Sequence, residues 1–247
     1  MKTRIAKFIA ESGIHSRRGA EQMIERGLVF VNDVRVDSPV FFVDGSEKII
    51  VDGTPITKKS KTEIYLFHKP INTITSRNDP QGRKTIYDAL PKKYHHLQYI
   101  GRLDYKTTGL LLMTNDGELA RKLTLPENKI EREYIATLHP KKISEIKNQR
   151  VANALRKFLS PMSDDDSVFD SARHGMSVNK IKYAPMKIEI ISRYPLQIKL
   201  TLTQGKKNEI RIVLDALGFM VKKLHRIRFG KYELGKLKPG EIINSKL

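Results

Sequence analysis

Two glycines bracket a carboxylate in the run Tyr99-Ile100-Gly101-Arg102-Leu103-Asp104-Tyr105-Lys106-Thr107-Thr108-Gly109. Without a Cβ, Gly101 and Gly109 permit a loop whose backbone can approach a bound nucleotide closely, and Asp104 would project from that loop beside Arg102. A carboxylate so placed can act as a nucleophile or ion-pairing group. It can also accept a hydrogen bond from a nearby backbone N–H, that of Lys106 or Thr107. Spacing alone leaves both open. Arg211 belongs to a stretch in which Ile210, Val213, Leu214 and Leu217 stand at helical spacing, so it starts beside a buried seam. There it can snorkel along the stripe as a surface arginine. Tyr134 lies in a strand-like run, where tyrosines are most often packed side chains.

Other chemistries are excluded. With no Cys among 247 residues there is no disulfide, thiolate nucleophile or zinc finger. Of the seven His, none stands four residues from another, so metal-binding spacing is absent. Lys and Arg number 46 against 27 Asp and Glu, a formal net charge of +19. Such an excess suits a polyanion, because contacts to phosphates release condensed counterions, although high charge also keeps ordinary proteins dispersed. A hydrophobic share of 39% supports a core and argues against disorder. The longest apolar runs, Val40-Phe41-Phe42-Val43 and Leu110-Leu111-Leu112-Met113, fall far short of a membrane span. Charge scattered through Met1 to Phe8 is unlike a signal peptide. A cytosolic protein is expected.

The elements that must position these residues fall into two units. Ile5, Phe8 and Ile9 predict a helix stopped by Ser12-Gly13; Ala20, Met23 and Ile24 predict a second, stopped by Gly27. Ser16 can cap the second helix, which puts Arg17 and Arg18 in its first turn, where cations oppose the helix dipole. A phosphate outside the helix would explain that pair, as would plain solvation, and Arg4 and Lys7 add to the same unit. Val29, Val31, Val34 and Val36 alternate around Asn32-Asp33 as a tight hairpin. The polar seam Lys58-Lys59-Ser60-Lys61 sets the expected boundary, giving domains 1–60 and 61–247. Beyond it, strands around 64–67, 110–114, 131–138, 186–191, 196–202 and 221–229 interleave with helices near 85–90, 116–124, 142–158 and 208–217. In the last strand, simple alternation puts Arg226 and Arg228 on one face and Ile227 and Phe229 on the other. Asp164-Asp165-Asp166 reads as an exposed loop.

The segment His15 to Glu21, with Val31-Asn32-Asp33-Val34-Arg35-Val36, resembles the small αL (S4-like) RNA-binding domain. The resemblance implies that Arg4, Lys7, Arg17 and Arg18 face RNA. The second unit is similar to the ribosomal RNA pseudouridine synthases. The similarity rests on Gly101-Arg102-Leu103-Asp104, Thr108-Gly109-Leu110-Leu111-Leu112, Asp116-Gly117-Glu118-Leu119, His68-Lys69-Pro70, Arg77 to Arg83, Arg132-Glu133-Tyr134, Gly205 to Arg211 and Leu224 to Gly230, in family order. It implies an α+β fold: the S4-like domain followed by a catalytic domain with a mainly antiparallel sheet flanked by helices. By the same resemblance Asp104 is the essential carboxylate, Arg211 its cation, and Tyr134 the ring stacked on the flipped uracil. Arg102 would fill the space the base vacates. His68, Lys69, Arg77 and Arg83 become candidates for RNA contact, and Arg226 and Arg228 for phosphate. Ile212 departs from the basic residue common in the family at that place.

No cofactor or metal is implied. The expected partner is ribosomal RNA or an assembling ribosomal subunit, bound by a monomer. The run Arg77 to Pro91 favours 23S over 16S; transfer RNA and a non-catalytic assembly factor are the rivals. Residues 1–60 carry 10 basic and 8 acidic side chains, and residues 61–247 carry 36 and 19. The catalytic unit is therefore expected to supply most of the salt-dependent affinity, and the N-terminal unit to position it.

Overall fold

The computed structural model describes residues 2–15, 17–57, 62–160 and 163–245. Ser16 and the seam 58–61 lie outside the described residues. The N-terminal elements are β1 (Thr3–Arg4), α1 (Ile5–Ser12), α2 (Arg17–Glu25), β2 (Val29–Val31), β3 (Val34–Arg35), β4 (Phe42–Val43), β5 (Ile49–Val51) and β6 (Thr54–Ile56). α1 stops at Gly13, whose φ of 86° lets its N–H reach the Ala10 carbonyl. The β2–β3 turn places Asn32 and Asp33 at φ 48° and 65°, the left-handed pair of a type I′ hairpin. Ile5, Phe8, Ile9, Ala20 and Ile24 pack on Val29, Val31, Ile49 and Val51 as a core of their own.

The larger unit runs β7 (Ile64–Lys69), α3 (Ile86–Ala89), β8 (Gln98–Ile100), β9 (Thr107–Thr114), α4 (Gly117–Thr124), β10 (Arg132–Pro140), α5 (Gln149–Leu159), α6 (Asp170–His174), β11 (Met176–Val178), β12 (Ile181–Tyr183), β13 (Lys187–Arg193), β14 (Leu196–Leu202), α7 (Glu209–Ala216), β15 (Phe219–Phe229), β16 (Tyr232–Glu233) and β17 (Ile242–Ser245). One sheet orders its strands β13-β14-β10-β15-β9-β7-β17, with β8 and β16 attached. All pairings in this sheet are antiparallel except β9 with β15, where Leu224, His225 and Arg226 face Thr107, Thr108 and Gly109. Leu111 and Met113 face the main core while Leu110 and Leu112 enter a second cluster behind the sheet. That alternation explains why β9 is apolar without interruption: both of its faces are covered.

The sequence reading and the structure part between 140 and 185. The single helix expected over 142–158 is a 3-10 turn at Ile143–Glu145 followed by α5, because Asn148 caps a new start by accepting from the Arg150 and Val151 N–H groups at 3.0 and 3.3 Å. Asp164 to Asp166 form a loop, as expected, with Asp164 exposed, but the loop is tied down at its end. Asp166 holds Arg173 and is followed by Val168 and Phe169, which are buried in the core. The short strands β1, β4, β5, β6, β8 and β16, the β11–β12 hairpin and the edge strand β17 are not among the elements expected from sequence. Among the described residues no helix is long and apolar enough to cross a membrane.

Candidate active site

The loop after β8 is fastened through its backbone. The Thr75 hydroxyl donates to the Leu103 carbonyl at 2.8 Å and accepts from the Leu103 N–H at 3.1 Å, and Asn72 N–H donates to Tyr105 O at 3.0 Å. The Thr107 N–H bonds the Asp104 carbonyl, not its side chain. Among the described residues the Asp104 carboxylate accepts no hydrogen bond and forms no salt bridge, and the Arg102 guanidinium is likewise unengaged. The backbone-cap alternative for Asp104 is therefore not what the fold uses. A loop held by its main chain presents both side chains to a cavity of about 640 Å³, lined also by Tyr134 and Arg211.

Tyr134 reaches the cavity from β10 and is 8% exposed. Arg211 projects from the first turns of α7 and donates to the Val221 carbonyl at 2.8 Å, with a longer approach of 3.5 Å to Lys106 O. Burial lowers its pKa, and the charge of Asp104 pulls it back up. Arg211 thus ties helix, sheet and loop together and places a fixed positive charge near the free carboxylate.

Several residues expected to contact RNA are placed otherwise. Arg226 and Arg228 do not share a face, because a register shift pairs Glu133 with Arg228 but Tyr134 with Arg226. A bulge of this kind reverses the alternation on which the expectation rested. Arg226 is 1% exposed, donates to Leu110 O at 2.7 Å and lies beneath the rings of Tyr134 and Phe229. Arg228 points away from it and bridges Glu131 and Glu133, both at 2.8 Å. Lys69 has no exposed surface; its ammonium bonds the Pro70 and Thr107 carbonyls at 3.0 and 2.8 Å, and burial lowers its pKa to about 8 against the raising effect of Asp104. His68 is buried against the Leu237 carbonyl at 2.7 Å.

Arg77 stacks over Tyr87 and donates to His95 O and Leu97 O at 2.8 and 3.0 Å, so it braces the fold. Arg83 closes its own turn on Asp79, which it holds at a pKa of about 2. Lys7 pairs with Glu118 at the start of α4, linking the two units, and also approaches Glu11 at 3.6 Å. Arg4, Arg17 and Arg18 are exposed as expected. Gly109 approaches a strand, not a nucleotide: at φ 104°, a Cβ there would stand 2.2 Å from the Arg226 carbonyl.

Two groups in the cavity wall escaped the sequence reading. Arg132 donates to Thr203 O at 2.7 Å and lies over Phe229; its position two residues before Tyr134 in one strand was the available signal. Glu209 is 3% exposed, with its pKa raised by burial, one oxygen on the Lys206 N–H at 2.9 Å and the other without a partner. In sequence it is only a favourable acid in the first turn of a helix.

A carboxylate left free in a cavity beside a fixed cation and an aromatic face is the equipment of a base-modifying site. Residues 63–216 match the RNA pseudouridylate synthase family, and residues 3–49 match the S4 domain. The chain belongs to the RNA pseudouridylate synthase family and is an RNA-modifying isomerase. It is 33% identical to an uncharacterized RNA pseudouridine synthase of Rickettsia felis, covering 99% of this chain and 98% of that one. It is 32% identical to the ribosomal large subunit pseudouridine synthase B of Bacillus subtilis, covering 96% and 90% of the two chains. A crystal structure of a pseudouridylate synthase matches with a TM-score of 0.62 and 25% identity, over 98% of this chain and 95% of that one.

Proposed function

We propose that the protein converts a specific uridine of 23S ribosomal RNA to pseudouridine, acting as a monomer in the cytosol with Asp104 as its essential group. Residues 1–60 form the RNA-binding domain in this reading and residues 61–247 the catalytic one. The observation that carries it is the unengaged Asp104 carboxylate, held by its backbone and facing Tyr134 and Arg211 across one cavity. Relatives named for the large ribosomal subunit support the choice of RNA.

The reaction breaks the bond from N1 of uracil to C1′ of ribose, turns the base and joins C5 to C1′. One proton leaves C5 and one is gained at N1, so the product is an isomer and no electrons are exchanged. Asp104 serves each of three routes: attack on C1′, attack on the base, or assistance in elimination to a glycal. Arg211 keeps Asp104 ionised when the base displaces water from the cavity. Tyr134 offers its ring face to the uracil and its hydroxyl for proton handling. Extruding the base costs a few kcal/mol, which Arg102 offsets by entering the vacated stack.

The test is to incubate wild type and Asp104→Asn with ribosomal RNA and map pseudouridine by carbodiimide and primer extension. Modification by wild type and none by the variant is expected. Tight binding without modification by either would establish the assembly-factor reading instead. Comparing the maps of a deletion strain and its parent then locates the uridine.

A further inference from the structure

A second hollow of about 500 Å³ borders the Asp104 cavity, and Asn208 and Arg211 line both. Its floor is apolar, formed by Ile212 and Ala216 of α7 and by Val178 of β11. Its rim carries two amides, Asn179 at the tip of the β11–β12 hairpin and Asn208 just before α7. Both hold left-handed backbones, at φ 49° and 54°, that fix where their side chains start. The hollow's acidic group, Asp215, is matched by Lys141 at 2.6 Å. Exposed lysines stand on the elements that form it, Lys180 and Lys182 on the hairpin and, on the approach to α7, Lys206 and Lys207, which line the first cavity. Lys206 also joins the hairpin to that approach, bonding the Lys182 carbonyl and lying over the Tyr183 ring.

An apolar floor takes the face of a base, amides on the rim take its edge, and lysines outside take phosphate. The volume lies within the range of pockets that hold one small ligand. A strand whose uridine has swung into the Asp104 cavity has lost the stacking of its neighbour, and a neighbour one phosphodiester away can reach only a hollow that adjoins the first. Arg211 stands between the two, so occupancy of one bears on the other.

We propose that this second hollow, between the β11–β12 hairpin and α7, is a subsite for the nucleotide flanking the target uridine. The proposal rests on the reading of the first cavity as a pseudouridine synthase site. The subsite makes recognition depend on two unstacked nucleotides, and it gives the β11–β12 hairpin a role in choosing the substrate.

The experiment uses the full-length protein and the ribosomal RNA segment on which wild type forms pseudouridine, prepared intact and with an abasic residue on the 5′ or the 3′ side of the target. For wild type, one of the two abasic RNAs should raise KM about tenfold with kcat little changed. Asn179→Gly removes the amide and keeps the turn; Ala216→Phe fills the floor. Each should lose five- to tenfold in kcat/KM on intact RNA and almost nothing further on that abasic RNA. Equal losses on intact and abasic RNA, or wild-type behaviour of both variants, would overturn the subsite. Failure of wild type to modify any uridine would instead remove the reading on which the proposal rests.

Discussion

The floor and the mouth of the Asp104 cavity are both lined with basic residues, yet the two sets differ in kind. On the floor, Arg132 and Arg226 are buried and donate to the backbone carbonyls of Ile130, Thr203 and Leu110, and Lys69, buried outside the lining, bonds those of Pro70 and Thr107. At the mouth, Arg102 and Lys207 are exposed. A buried cation bonded to carbonyls is a permanent part of the fold and cannot leave to meet a phosphate without forfeiting those bonds. Its charge still acts through the low-dielectric wall, where it favours any negative charge that develops on a departing base. In the proposed reading the exposed mouth would meet the RNA and the buried floor would set the field, a division that residue type alone does not reveal.

The sharpest way to break this comparison is to change one residue that faces the cavity and one in the strand packed behind its floor. Asp104→Asn should lower kcat by at least about 10⁴-fold, the scale for removing a group on which the covalent chemistry depends, while the thermal midpoint stays that of wild type. Gly109→Ala should do the reverse in cause. The new Cβ would meet the Arg226 carbonyl and nitrogen at 2.2 and 2.7 Å, both backbone atoms that cannot rotate aside, at a φ of 104° that alanine resists. A destabilisation of about 3 kcal/mol or more is expected, seen in denaturant midpoints, with activity lost in proportion to the unfolded fraction. A stable, inactive Gly109→Ala would show that the floor takes part directly in the chemistry.

What was legible in the sequence follows the same line. Glycine stops, the Asn32-Asp33 turn and the period-2 strands are local signals, and they point to the α+β architecture and to its longer strands and helices, while the short strands of two to four residues beyond that hairpin carry no such signal. The loop bearing Asp104, and the positions of Tyr134 and Arg211, came from motifs in family order, and the fold gathers all three around one cavity. The fate of each basic residue was not legible. Arg226 and Arg228 part company through a register shift that no local pattern announces. Lys69 is buried where β7 pairs with β9, opposite Gly109, a tertiary consequence of a residue forty positions away. Lys7 finds Glu118 across a boundary that separates the two in sequence by more than a hundred residues.

A gentler probe of the floor uses pH. Burial holds the Lys69 pKa at about 8 against an ordinary value of 10.5. Between those values the unfolded chain binds the proton more fully than the native one, so this group makes stability rise with pH across the window. The penalty for its buried charge is fully present below about pH 8 and disappears toward 10.5. The gain is up to about 3 kcal/mol. Tyr87, pushed up to about 12 by burial, acts oppositely near the top of the range, so the informative quantity is wild type minus Lys69→Met. That difference should climb between pH 8 and 10.5; a flat difference would mean that Lys69 is as solvated as the residues of the mouth.

The smallest expected effect extends the contrast to the N-terminal unit. Its net charge is +2, from 10 basic and 8 acidic residues, against 36 and 19 beyond residue 60, and Lys7 is already paired with Glu118. Arg17 and Arg18, at the exposed start of α2, are its candidates for phosphate contact. Each phosphate contact adds about 0.7 to 0.9 to the slope of log affinity against log salt. Replacing both arginines by alanine can therefore flatten that slope by less than about 2, leaving most of it to the catalytic unit. The S4 unit would then set where the enzyme sits on its RNA more than how strongly it holds. A slope that collapses toward zero in this double variant would reverse that assignment: two arginines would outweigh the surplus positive charge around the cavity, whose mouth would then be left with geometry alone to recognise RNA.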